Sequence, residues 1–103
     1  MIKVKYELIG DRYHLLDVSG HANYAKSGQD LFCSAVSSIM FGLMNALDEL
    51  KENVEIKQLT NEIIIVDNSN SKDVENYLNL VMYQLKTIEE SPSNKGFIKV
   101  ERK

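Results

Sequence analysis

Ile2-Lys3-Val4-Lys5-Tyr6-Glu7-Leu8 places an apolar side chain at every second position, with Lys3, Lys5 and Glu7 between them. That period of two marks a strand buried on one face. Gly10-Asp11 then supplies turn chemistry and residues 13–19 return as a second extended run, so the chain opens with a β-hairpin. The run stops at Gly20-His21. Residues 22–29 are short-chained and polar with Gly28 among them, the composition of a loop.

Asp30 precedes Leu31-Phe32-Cys33 and about twenty residues without proline, which predicts a helix N-capped by Asp30, ending at Glu49 or Leu50, with Cys33 in its first turn. Ser34, Ser38, Gly42 and, one step further, Asn45 trace a strip of small residues at helical spacing. The strip implies close approach of another backbone, either within the chain or across a dimer seam. Further on, residues 54–58 and 62–66 flank Leu59-Thr60-Asn61 as a second hairpin rich in Val and Ile. Residues 67–71 form a loop that ends in capping residues. After it, Val74, Tyr77, Leu78, Val81, Met82, Leu85 and Ile88 fall on one helical face. Ser91-Pro92-Ser93-Asn94 stops that helix, and residues 97–100 make a last short strand. The order is ββαββαβ. It predicts an α+β fold: one domain over residues 1–103, a mainly antiparallel sheet carrying two helices.

Composition sets the outer bounds. At 103 residues and 44% hydrophobic the chain can bury one modest core. Its lone cysteine precludes an intramolecular disulfide and its start does not resemble a secretory leader, so a cytoplasmic location is expected. The most apolar stretch, residues 31–47, is broken by Ser34, Ser37, Ser38, Gly42 and Asn45, and no membrane association is expected. A net charge of -3 lacks the basic excess that binding to many phosphates needs, so direct nucleic-acid binding is not expected. One cysteine and one suitably placed histidine fall short of the three or four ligands of a zinc site, and neither metal nor cofactor is expected.

Cys33 and His21 are the residues able to do nucleophilic chemistry together. A thiol is mostly protonated at neutral pH and requires a base or a positive field. Near a helix start, Cys33 would feel free backbone N–H groups that favour thiolate and that can hold a developing oxyanion. His21, twelve positions earlier, leaves a strand end and can be brought back to the sulfur by the intervening loop. The bland alternatives are a cysteine buried as a small hydrophobe and a histidine bonded to a neighbouring carbonyl. His14, alternating with Leu16 and Val18 inside a strand, is left out of the chemistry.

Taken as one string, Ser19-Gly20-His21-Ala22 followed by Gly28-Gln29-Asp30-Leu31-Phe32-Cys33-Ser34-Ala35-Val36-Ser37 closely resembles the signature of the bacterial ribosomal-processing cysteine proteases. The histidine-to-cysteine spacing matches, as does the order of elements along essentially the whole chain. The resemblance implies a His21–Cys33 dyad and a dimeric enzyme with a mobile loop over its site. The family's substrate is an N-terminal extension of large-subunit ribosomal protein twenty-seven, cut after an aromatic residue. It further implies supporting roles for Gly20, Gly28, Asp30 and Ser37. Asp30 would cap the helix, order the loop or orient His21, Ser37 would bond substrate or backbone, and the two glycines would give backbone freedom or close substrate approach, unless they mark ordinary turns. Ser34 departs from the alanine usual at that position, a change that bears on packing rather than chemistry. Two other classes compete: a non-catalytic ribosome-associated binding module with a structural Cys33, and a thiol redox sensor that needs no histidine. Thiol reactivity and its dependence on His21 discriminate among the three.

Overall fold

The structure, a computed structural model, describes residues 1–20 and 29–103, with Gln29 and Asp30 described in backbone only. Its elements are β1 (Ile2–Ile9), β2 (Arg12–Ser19), α1 (Gln29–Leu50), β3 (Val54–Leu59), β4 (Glu62–Asp67), α2 (Lys72–Glu89) and β5 (Ile98–Arg102). The predicted order ββαββαβ is the observed one. The strands form one sheet ordered β3-β4-β2-β1-β5, antiparallel except where β5 runs parallel to β1. Parallel strands need a long crossover, and α2 provides it.

The strand period does the work that the sequence assigned to it. Register pairs Val4 with Val18, Val18 with Ile63, Leu16 with Ile65 and Ile2 with Ile98, which puts all seven on one face, where all are buried. Both helices pack there. α1 contributes Phe32, Val36, Met40, Leu43 and Leu47, α2 contributes Val74, Leu78, Val81, Met82 and Leu85, and together with the strand residues they make a single core.

α1 differs from expectation in three ways. It begins at Gln29, so Asp30 lies inside the first turn and is not the N-cap, and Cys33 is the fifth helical residue, opening the second turn. A helix start favours an acid at the cap and in the first turn alike, so the acid alone does not fix the boundary. Second, Ser34, Ser38, Gly42 and Asn45 are all exposed, and a Cβ added at Gly42 would meet nothing within 4 Å. Among the described residues the small-residue strip is not packed against another backbone. Third, residues Leu31–Leu50 have a mean hydropathy of 1.4 and are long and apolar enough to cross a membrane, despite the interrupting serines. The apolarity has a local cause, since one flank of α1 supplies the core.

The sheet end where β2 begins and β4 finishes is tied by one polar cluster. The Arg12 guanidinium donates to Asp67 Oδ2 from Nε at 3.2 Å and Nη2 at 2.8 Å, and from Nη2 to the Ser71 carbonyl at 2.9 Å. Asp67 Oδ1 accepts from the Ser69 amide at 2.9 Å and the Ser69 hydroxyl at 2.6 Å. His14 Nδ1 lies 2.9 Å from the Asp67 carbonyl oxygen. Ser71 then N-caps α2, accepting from the Val74 amide at 3.2 Å. Burial pushes the Asp67 carboxyl up, but bonds from Ser69 and Arg12, with the Arg12 charge, outweigh it and hold the group below its ordinary value.

Candidate active site

The opposite end of the sheet carries Gly20, and the start of α1, with Cys33, lies against it. β2 finishes at Ser19, and Gly20 follows with φ +79°, its amide donating to the Asn61 carbonyl at 3.0 Å. A Cβ at Gly20 would collide with the Met1 carbonyl oxygen. Gly20 thus uses a backbone conformation that favours glycine, and what lies against it is the start of β1. At the same end Ile2 donates to the Phe97 carbonyl at 2.7 Å, and the Phe97 ring meets Phe32 of α1 with centroids 5.4 Å apart. Phe32 is thus the apolar pin that fixes the start of α1 over the sheet end where Gly20 lies.

Cys33 follows the pin. It is partly buried and packs against the core, neither sealed inside nor fully exposed. The four free N–H groups of a helix belong to its first four residues, here 29–32, so the Cys33 amide lies within the ladder. The expectation that Cys33 lies in the first turn is therefore off by one residue. Ser37, one turn on along the same flank, is also partly buried. His21, Gly28 and the loop between them lie outside the described residues, as does the side chain of Asp30. Among the described residues no group of three or more His, Cys, Asp and Glu side chains is arranged to hold a metal ion.

Two carboxylates adjoin the Gly20 end. Asp17 Oδ1 is buried without a hydrogen-bond donor, while its other oxygen lies 3.6 Å from Lys103 Nζ. The Glu62 carboxyl is raised above its ordinary value, chiefly by a hydrogen bond to Asp17, with burial and the Asp17 charge adding to it. The sequence, which places these acids on different strands, gives no sign of this contact.

Residues 1–96 match the family model described as Cysteine protease Prp. The ribosomal processing cysteine protease Prp of Mycoplasma pneumoniae is 35% identical over 83 residues, covering 77% of this chain and 79% of that protein. The fold superposes over the full length of both chains on two crystal structures of the Staphylococcus aureus ribosomal processing protease Prp. One, in complex with a covalently linked product peptide, has a TM-score of 0.85 at 26% identity, and the other, in complex with a substrate peptide, has 0.87 at 24%. By the reach of the family model and of its relative in M. pneumoniae, the chain belongs to the Prp family of cysteine proteases.

Proposed function

We propose that this protease removes the N-terminal extension of large-subunit ribosomal protein twenty-seven, with Cys33 as nucleophile and His21 as its base. One observation supports this reading: Gly20 and the start of α1, which carries Cys33, are held at the same sheet end. His21 takes the Cys33 proton, the thiolate attacks the scissile carbonyl, and protonated His21 delivers its proton to the leaving amine. Water then hydrolyses the acyl-enzyme. The free amides of residues 29–32 are the donors nearest the developing oxyanion. Gly20 sets the exit of the chain toward His21, Gly28 gives the loop its freedom, Asp30 favours the helix start as a first-turn acid, and Ser37 offers a hydroxyl one turn from the sulfur.

The reaction requires no cofactor, and the setting is the cytoplasm, without nucleic acid or membrane as direct partner. Pairing of two copies is supported by the small-residue strip of α1. A mid-helix glycine costs about 1 kcal/mol relative to alanine, and none of the described residues uses the space at Gly42. The exposed residues from Leu31 to Asn45 are uncharged, so two copies can meet there without like-charge repulsion.

The test is incubation of wild type and Cys33→Ala with a peptide spanning the extension junction of the organism's own ribosomal protein, read by mass spectrometry. A single cut, absent in Cys33→Ala, is expected. An intact peptide with folded wild-type protein and a slowly alkylated Cys33 would discard the assignment.

A further inference from the structure

We infer that Phe97, clasped by Asn94, is a positioning residue for cleavage: it seats both the start of α1, which carries Cys33, and the start of β1, which lies against Gly20. The inference goes beyond the dyad and rests on Cys33 as its nucleophile. Three groups of Phe97 reach three different elements. Its ring meets Phe32 of α1 with centroids 5.4 Å apart and planes inclined by 53°. Its carbonyl accepts from the amide of Ile2 at 2.7 Å, one residue after Met1, whose own carbonyl lies against Gly20. Its amide donates to Asn94 Oδ1 at 2.9 Å, in the turn that follows α2. The Gly20 flank and the Cys33 flank of the site are thereby placed against one residue.

The contact falls where α1 most needs one. Among the described side chains Phe32 is the first of α1 to enter the core, and the next, Val36, lies one turn beyond it. Leu31, by contrast, is 73% exposed. The first turn, with its free amides, is thus held to the body of the molecule at Phe32, directly before Cys33. Helix ends fray where such a contact is missing, and the residues that follow lose their fixed place with them.

Phe97 is itself fixed. Asn94 Nδ2 donates to the carbonyls of Glu89 at 2.8 Å and Ile98 at 3.1 Å, and its Oδ1 accepts from the amides of Phe97 and, at 3.2 Å, Ile98. Glu89 Oε2 accepts from the Val100 amide at 2.6 Å. The side-chain amide of Asn94 therefore uses its donors and its acceptor at once, locking the end of α2 to the start of β5. The ring stands in place before substrate arrives. Placement of this kind acts on rate, since shifting a reacting group by about 1 Å can cost about a hundredfold.

Seat and chemistry are tested apart. kcat and KM for the junction peptide, and hydrogen exchange across residues 31–36 by mass spectrometry, are measured for wild type, Phe97→Leu, Phe97→Tyr and Asn94→Ala, with Asp67→Ala as the control for lost stability at the far end of the sheet. Phe97→Leu keeps an apolar side chain but loses the ring. Its kcat is expected to fall about tenfold or more while KM stays within about twofold, and exchange at the start of α1 should quicken. Asn94→Ala should show the same split. Phe97→Tyr keeps the ring, which is half-buried, and should restore both readouts. Unchanged exchange in Phe97→Leu, kcat close to wild type in either variant, or an equal fall in Asp67→Ala would overturn the inference. Failure of wild type to cut, beside quickened exchange in Phe97→Leu, would instead remove the dyad and leave the seat standing.

Discussion

The two ends of the sheet are built on opposite principles. Where β2 begins, Asp67 is fully occupied by Arg12 and Ser69, and the cluster runs on through Ser71 into the cap of α2. Where β2 finishes, the described contacts that seat the start of α1 are apolar or backbone-only, Phe32 on Phe97 and Gly20 on Asn61, with Cys33 half-covered. Polar side chains tie the first end to α2, whereas an aromatic pair ties the second to α1. Stability and chemistry therefore sit at separate ends, and substitutions at each should affect one property and spare the other.

The largest effect expected is on rate alone. Cys33→Ala should reduce peptide cleavage to background while lowering Tm by less than about 8 °C, the equivalent of about 1 kcal/mol in a domain of this size, as read by calorimetry beside the cleavage assay. His21→Ala should cost on the order of 10² to 10⁴ in rate, the usual loss on removing a general base, again without a matching loss of Tm. A parallel fall in both properties for either variant would break the separation.

The converse holds at the other end. Asp67→Ala leaves Arg12 and Ser69 without their acceptor. Breaking a buried ion pair in this way costs about 3 kcal/mol or more, and denaturant unfolding should show it while Cys33 alkylation keeps its wild-type rate. The same group predicts an acid response. Its folded pKa is lowered, so its stabilisation is fully present above the unfolded-state value and is lost as pH falls through the folded one. Unfolding followed by circular dichroism from pH 6 downward should be shallower in Asp67→Asn than in wild type.

Two smaller effects sharpen the contrast. Glu62 carries a raised pKa, so its contribution is present at low pH and is lost as pH rises through its folded value. Glu62→Gln supplies a permanent donor for Asp17 Oδ1 and should raise Tm at pH 8 but not at pH 4. Gly42→Ala should stabilise an isolated chain by up to about 1 kcal/mol. If two copies meet at the strip, the same substitution weakens the pair, and sedimentation across a concentration series distinguishes the cases.

Much of the fold was legible because its signals are periodic. Ile2 to Leu8 alternate as a strand must, and Val74 to Ile88 follow the helical period, so the order of elements could be read without knowing any contact. The parallel pairing of β5 with β1 was not legible, because it depends on where α2 carries the chain. The start of α1 was misplaced by two residues because Asp30 suits a cap and a first turn equally. At the site, the Gly-His…Cys spacing pointed to Cys33 directly. Exposed and buried apolar residues look alike in sequence, and Leu31 separates from Phe32 only when Phe97 is seen to take one and not the other. The Asp17–Glu62 contact likewise requires two strands to be placed side by side.

The position of β1 also bears on how the molecule reaches this form. β1 is flanked by β2, its hairpin partner, and by β5, whose first residue, Ile98, pairs with Ile2 from 96 positions away. Hairpins close in about 1–10 μs, whereas pairings that span most of a chain must first overcome loop-closure entropy and come late. Until β5 docks, Ile2 and Val4 sit on an open edge, and Phe97 has not been brought to Phe32. Completion of the sheet at its last strand is thus the step that seats the start of α1. A chain caught before that step would carry Cys33 without the neighbourhood that makes it reactive, so proteolytic competence should appear only with the slowest phase of refolding.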